Sequence, residues 1–203
     1  MKTKMSLLIG LVFTGYSAAN AQKLVTESGN TDFLKGEKSF LIEYTFDGLT
    51  VGKNKPEEVY TKEKVAEQNA KEPGKGDKWL EGWKKNRETR YQPKFEELLD
   101  KMISGKATIA PASSGAKYKL IVNTTMIEPG YNIGVSKMPA YINVTFSWVE
   151  AAAPDKVLCK QTLYKVAGSQ FSGYDYDVGS RVAESYAKSG KILGKYLASK
   201  VWK

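Results

Sequence analysis

The sequence predicts an α+β domain, a mixed or antiparallel four-stranded sheet in the order β-α-α-β-β-β-α with helices packed on one face. Three observations predict it. Four segments alternate apolar and polar residues with period two, and the stretches between them and after them repeat apolar residues at helical spacing. The alternation leaves one sheet face wet, which suits helices on a single face rather than on both.

Along the chain, the first 21 residues have the layout of a secretory signal. Lys2 and Lys4 precede an apolar run of 12 residues, Met5 to Tyr16, and Ala19-Asn20-Ala21 forms a small-x-small cleavage site. The run is shorter than the roughly 20 residues a bilayer span needs, so removal is expected rather than retention as an anchor. Cleavage would leave Gln22 first in a chain of 182 residues, with no cysteine there to carry lipid. The expected location is the periplasm or the medium, with no transmembrane segment.

Residues 22–38 are polar and glycine-containing without periodicity, and read as a loose leader before one domain over 39–203. The first strand begins at Ser39, with Phe40, Ile42, Tyr44 and Phe46 on one side, and closes at Gly48. A charged helix is expected from Pro56, at its first position, to about Ala70. The Pro73-Gly74-Lys75-Gly76 run breaks it, and Asp77 is the expected N-cap of the next helix. Trp79, Leu80 and Trp83 share a helical face, as core anchors or as a ligand platform. After Pro93, the residues Phe95, Leu98, Leu99, Met102 and Ile103 form an apolar stripe ending at Gly105.

Three consecutive strands follow, Tyr118 to Ile127, Ala140 to Val149 and Lys156 to Ala167. The middle one sets Ala140, Ile142, Val144, Phe146 and Trp148 against Tyr141, Asn143, Thr145 and Ser147. The last helix runs from about Val178 to the C-terminus. Beside its apolar stripe lies a row of small residues, Ala183, Ala187, Gly190, Gly194 and Ala198, which would let it lie close to the sheet. Over residues 39–203 this element order resembles that of the TolB N-terminal-like envelope accessory domains. The segments Pro73 to Trp79 and Tyr91 to Glu96 are similar in wording to secreted bacterial proteins of unknown function. The resemblance implies an envelope compartment and an α/β fold, and carries no functional residue.

The chemistry is defined mostly by exclusion. Histidine is absent, which removes Ser/His and Cys/His nucleophile systems and histidine zinc sites. The single Cys159 excludes a CxxC redox pair and reads as a buried thiol. Two Ser-x-x-Lys matches, at Ser114 and Ser185, are what chance supplies, and no Gly-Lys pair has the spacing of a phosphate loop. The sequons at Asn123 and Asn143 fall inside strands and read as sheet chemistry. No cofactor and no metal site is expected. An Asp175/Asp177 pair offers too few ligands for calcium.

Net charge is +9, falling to +7 without Lys2 and Lys4, and it is spread over scattered lysines. Such a surface attracts anionic envelope polymers or is simply solvated; with no recognition motif and an exported chain, nucleic acid is not expected as a partner.

Topology singles out one surface. In an antiparallel meander, the end of the first of the three strands, the start of the second and the end of the third share one sheet edge. Two loops meet there, Glu128 to Val135 and Gly168 to Asp177, and bring together Glu128, Tyr131, Asn132, Phe171, Tyr174, Asp175 and Tyr176. Aromatic rings and carboxylates on a rigid scaffold suit binding; the same residues could instead turn the chain, cap the helix through Asp177 and cover the core. The expected role is an exported, non-catalytic binding or accessory module of the cell envelope, contacting an envelope protein or anionic polymer. The alternatives are a carboxylate-dependent hydrolase of envelope glycans, using Glu128, Asp175 or Asp177, and an assembly subunit with the tryptophans at its interface.

Overall fold

Strand Tyr141–Glu150 carries the strictest alternation in the chain, and around it the sheet is built. In the computed structural model, which describes residues 22–168 and 177–203, its even-numbered residues Ile142, Val144, Phe146 and Trp148 are fully buried. The strands, in chain order, are β1 (Val25–Gly29), β2 (Ser39–Thr45), β3 (Thr50–Val51), β4 (Lys55–Pro56), β5 (Thr108–Ile109), β6 (Tyr118–Glu128), β7 (Tyr131–Asn132), β8 (Lys137–Met138), β9 (Tyr141–Glu150) and β10 (Ala153–Ala167). The helices are α1 (Glu57–Lys71), α2 (Lys75–Asn86), α3 (Gln92–Ile103) and α4 (Val178–Lys200).

The main sheet runs β1-β10-β9-β6-β2-β5, with β3 also on β6. The meander β6-β9-β10 is antiparallel and β2 joins β6 in parallel, so the α+β class and the mixed sheet hold. A parallel neighbour needs a crossover, and α1, α2 and α3 supply it. The four expected strands form the centre, but the sheet is wider. Residues Val25–Gly29 are not a loose leader: they form an edge strand antiparallel to β10. Their exposure in all five positions explains why no hydrophobic period announces them. Leu34, just beyond, is fully buried.

The helices pack on one face, where Phe95, Leu99 and Ile103 of α3 and Val182, Tyr186 and Leu193 of α4 join Phe40, Leu120, Val144 and Phe146 in one core. Burying each large side chain of this kind contributes about 1.5–3 kcal/mol. Three local expectations are corrected. Helix α1 starts at Glu57, with Pro56 as its N-cap rather than its first residue. Helix α2 starts at Lys75, so Asp77 sits inside its first turn, where it favours the helix dipole without capping it. The small-residue row of α4 faces α3 and not the sheet: a Cβ on Gly190 would come within 2.1 Å of the Phe95 carbonyl oxygen. A π-helical turn, Arg87–Tyr91, joins α2 to α3.

Trp83 is buried and donates from Nε1 to Glu57 Oε1 at 2.7 Å, while Trp79 stacks on it at 5.6 Å, half-covered beside Tyr60. The core-anchor reading of the pair is the one the packing supports. Cys159 is buried, and burial pushes its thiol up to about 11.

Candidate functional site

The register places the predicted edge as the meander argument requires. Glu128 at the end of β6 lies opposite Tyr141 at the start of β9, and Tyr141 lies opposite Ala167 at the end of β10. From this edge projects a small hairpin, β7–β8, in which Tyr131 pairs with Met138 and Asn132 with Lys137. Phe171, Tyr174, Asp175 and Tyr176 lie outside the described residues, as does the signal segment 1–21.

The hairpin is held at its base. Gly130 adopts φ +60°, and a Cβ there would come within 2.3 Å of the Met138 carbonyl oxygen, so only glycine lets the two arms close. Arg181, in the first turn of α4, donates from Nε to the Pro129 carbonyl at 3.1 Å and from Nη2 to the Gly130 carbonyl at 3.2 Å. Glu128 Oε1 accepts the Gly130 amide at 3.3 Å, and Asn132 Oδ1 accepts the Gly134 amide at 3.0 Å. Glu128 and Asn132 therefore shape the turn. Tyr131 is 43% exposed, and its hydroxyl lies 3.3 Å from Ser136 Oγ. The tip beyond it carries two aliphatic residues in solvent, Ile133 at 67% and Val135 at 96% exposure. Both belong to the Glu128–Val135 loop but not to its candidate residues; apolar residues inside a Gly-containing turn are the signal in the sequence that points to them.

Asp177 takes the capping role. It accepts the Ser180 amide at 2.9 Å and pairs with Arg90 of the π turn. Partial burial pushes its carboxyl up, but the Ser180 bonds and the Arg90 charge outweigh it and hold it below its ordinary value. A carboxylate so engaged is a poor general acid.

On the helix-free face of the same edge opens a groove of about 580 Å³, lined by Asn54, Met126, Glu128, Tyr141, Asn143 and Lys165. Its curvature has a local origin. Both neighbours of β9 bulge at the level of Asn143: β6 between Thr124 and Met126, and β10 between Leu163 and Val166. Bulges increase twist and bend the strand, so the sheet end curls. Asn143 locks the second bulge by accepting the Lys165 amide at its Oδ1, 2.7 Å away. Among the described candidate residues read from the loops, only Glu128 lines this groove; the other lining residues are strand or turn positions that sequence reasoning passed over.

No family model and no curated protein matches this chain. Among solved structures it is similar to a PelC dodecamer from Paraburkholderia phytofirmans, at 15% identity over 86% of this chain and 96% of that one, with a TM-score of 0.39. It is also similar to a DUF330 protein from Xanthomonas campestris, at 11% identity over 78% and 84%, with a TM-score of 0.34. Overlaps this weak carry neither a family nor a function to the chain, and they add nothing to the TolB-like element order. Among the described residues no helix is long and apolar enough to cross a membrane, and no three His, Cys, Asp or Glu side chains gather as a metal site.

Proposed function

We propose that the chain is an exported, non-catalytic binding module that contacts an envelope protein through the β7–β8 hairpin. One observation carries the reading: Ile133 and Val135 stand in solvent on a hairpin whose base is fixed by Arg181 and Gly130. Exposed aliphatic side chains on a braced support gain most from being covered, because little conformational freedom remains to be lost on docking. Tyr131 at the foot of the hairpin adds an amphipathic ring of the kind enriched in interfaces. The hydrolase reading is weaker, since Asp177 is held as a helix cap and Glu128 is tied to the turn.

The test is site-specific photo-crosslinking in intact cells. A photoreactive residue at Val135 should give one discrete adduct that disappears with Ile133→Ser and Tyr131→Ala, while the same residue at Lys71 on α1 gives none. Absence of an adduct at Val135, or the same adduct from both positions, overturns the reading.

A further inference from the structure

We infer that the groove over Asn143 is a saccharide-binding site, taking a neutral, hydroxyl-rich sugar of one or two rings. The inference does not depend on the hairpin and its protein partner.

Shape is the first support. About 580 Å³ lies in the range of small-molecule sites, and the groove opens to solvent along the sheet end rather than closing over its contents. Such a trough admits a ring within a longer chain as readily as a free sugar.

Backbone geometry is the second. Among the described residues only two besides glycine have positive φ, Asn54 at +57° and Lys165 at +49°, and both line this groove. A left-handed conformation at a β-carbon residue costs free energy and persists only where the surroundings impose it. Here they do. The Lys165 amide is bound by Asn143 Oδ1, and its carbonyl accepts from Gln22 Nε2. A strained Lys165, a left-handed turn at Asn54, where asparagine is at home, and two bulges at one sheet end describe a site held in shape before its ligand arrives.

Chemistry selects the class. Asn54 and Asn143 bring amides, which both donate and accept, as a hydroxyl does. Asn143 spends Oδ1 on Lys165, which leaves its amide donor for a ligand. Glu128 accepts and Lys165 donates, and one charge of each sign leaves the groove without a net preference for an anion. Tyr141 and Met126 supply apolar surface of the kind a sugar's C–H face covers. A phosphate would need a cluster of donors that this lining lacks, and a lipid tail would need an apolar one.

The experiment uses the whole secreted chain, labelled with nitrogen-15, titrated with cellobiose, maltose and N,N′-diacetylchitobiose, and separately with inorganic phosphate and glycine. At least one disaccharide should shift the amides of Glu128, Asn143 and Lys165 in a saturable way, with phosphate and glycine leaving them in place. Lys165→Gly keeps the left-handed bulge and removes the ammonium; Asn143→Asp keeps the Oδ1 acceptor and removes the amide donor. Each should weaken binding by about tenfold, the loss of one good hydrogen bond, with the thermal midpoint retained. Ile133→Ser should leave sugar binding unchanged, so failure of the hairpin reading and failure of this one are separable. No shift with any of the three sugars, shifts that map elsewhere, or an equal response to phosphate or glycine overturns the assignment.

Discussion

Two glycines on helices carry opposite expectations. At Gly190 α4 lies tight against α3: a Cβ there meets the Phe95 carbonyl oxygen at 2.1 Å, and backbone cannot step aside as a side chain can. Gly190→Ala should therefore lower stability by about 1–3 kcal/mol, the range for overpacking a filled core. Gly82 in α2 has nothing within 4 Å of the same added atom, so Gly82→Ala should raise stability by about 0.5–1 kcal/mol through helix propensity. Urea unfolding of both variants checks the pair; a Gly190→Ala protein as stable as the parent would mean that the helices are not in this contact. The row of small residues was legible in the sequence, but its partner was not. A smooth helix face says that something lies close, without saying whether that is a sheet or another helix. The same limit applies to Asn143. Its place in a clean alternation marks it as a wet-face residue, and only the register reveals bulges on both sides of it.

At the scale of elements, strong periodicity translated directly into structure. The strands β2, β6, β9 and β10 and the helix α4 were all legible, because each carries apolar residues at a regular spacing; in β10 the burial is less regular than that spacing, with Gln161, Thr162 and Leu163 buried in succession and Val157 exposed. Elements without that spacing were not: β1 is exposed throughout, and β3, β4, β5, β7 and β8 are two residues each, too short to show a period. Helix α4 joins the core to the candidate edge, since its first turn bears both the Asp177 cap and the Arg181 bonds to the hairpin base. Asp177→Ala should cost about 1–2 kcal/mol at neutral pH, the usual loss on removing an N-cap. Asp177→Asn keeps an acceptor for the Ser180 amide and gives up only the pairing with Arg90, which is half-exposed and worth about 1 kcal/mol or less. The sign with pH follows from the lowered carboxyl. Its charge-dependent contribution is complete above the ordinary value of 3.8 and is lost as pH falls through the lower folded value. The gap between the parent and Asp177→Asn in urea midpoint should thus begin to close below pH 3.8. A gap that widens in acid would contradict the assignment.

For the whole molecule, the segment before β2 and the segment after α4 are fastened to one another. Trp202, two residues past α4, donates from Nε1 to the Leu34 carbonyl at 3.1 Å and stacks at 6.1 Å on Phe40, the first buried residue of β2. Lys106, after α3, donates to the Trp202 carbonyl and thereby ties in the crossover helices as well. A tryptophan among the last residues of a lysine-rich segment carries no period that would announce this role, so it was not legible in the sequence. Its consequence is global: the segment before β2 is ordered by a residue more than 160 positions away. Trp202→Ala should lower stability by about 3–5 kcal/mol, the cost of emptying a buried aromatic site. Trp202→Phe, which keeps a ring against Phe40 and leaves the Leu34 carbonyl without its donor, should cost about 1–3 kcal/mol. Hydrogen exchange gives the spatial signature. Amides of the turn Asp32–Leu34 and of Phe40 should lose protection in Trp202→Ala well before those of β9, which has β10 and β1 on one side and β6, β2 and β5 on the other. Equal loss everywhere would mean that the C-terminal clasp stabilises the fold without ordering its N-terminal segment. Unchanged stability would mean that the two ends are not joined in solution.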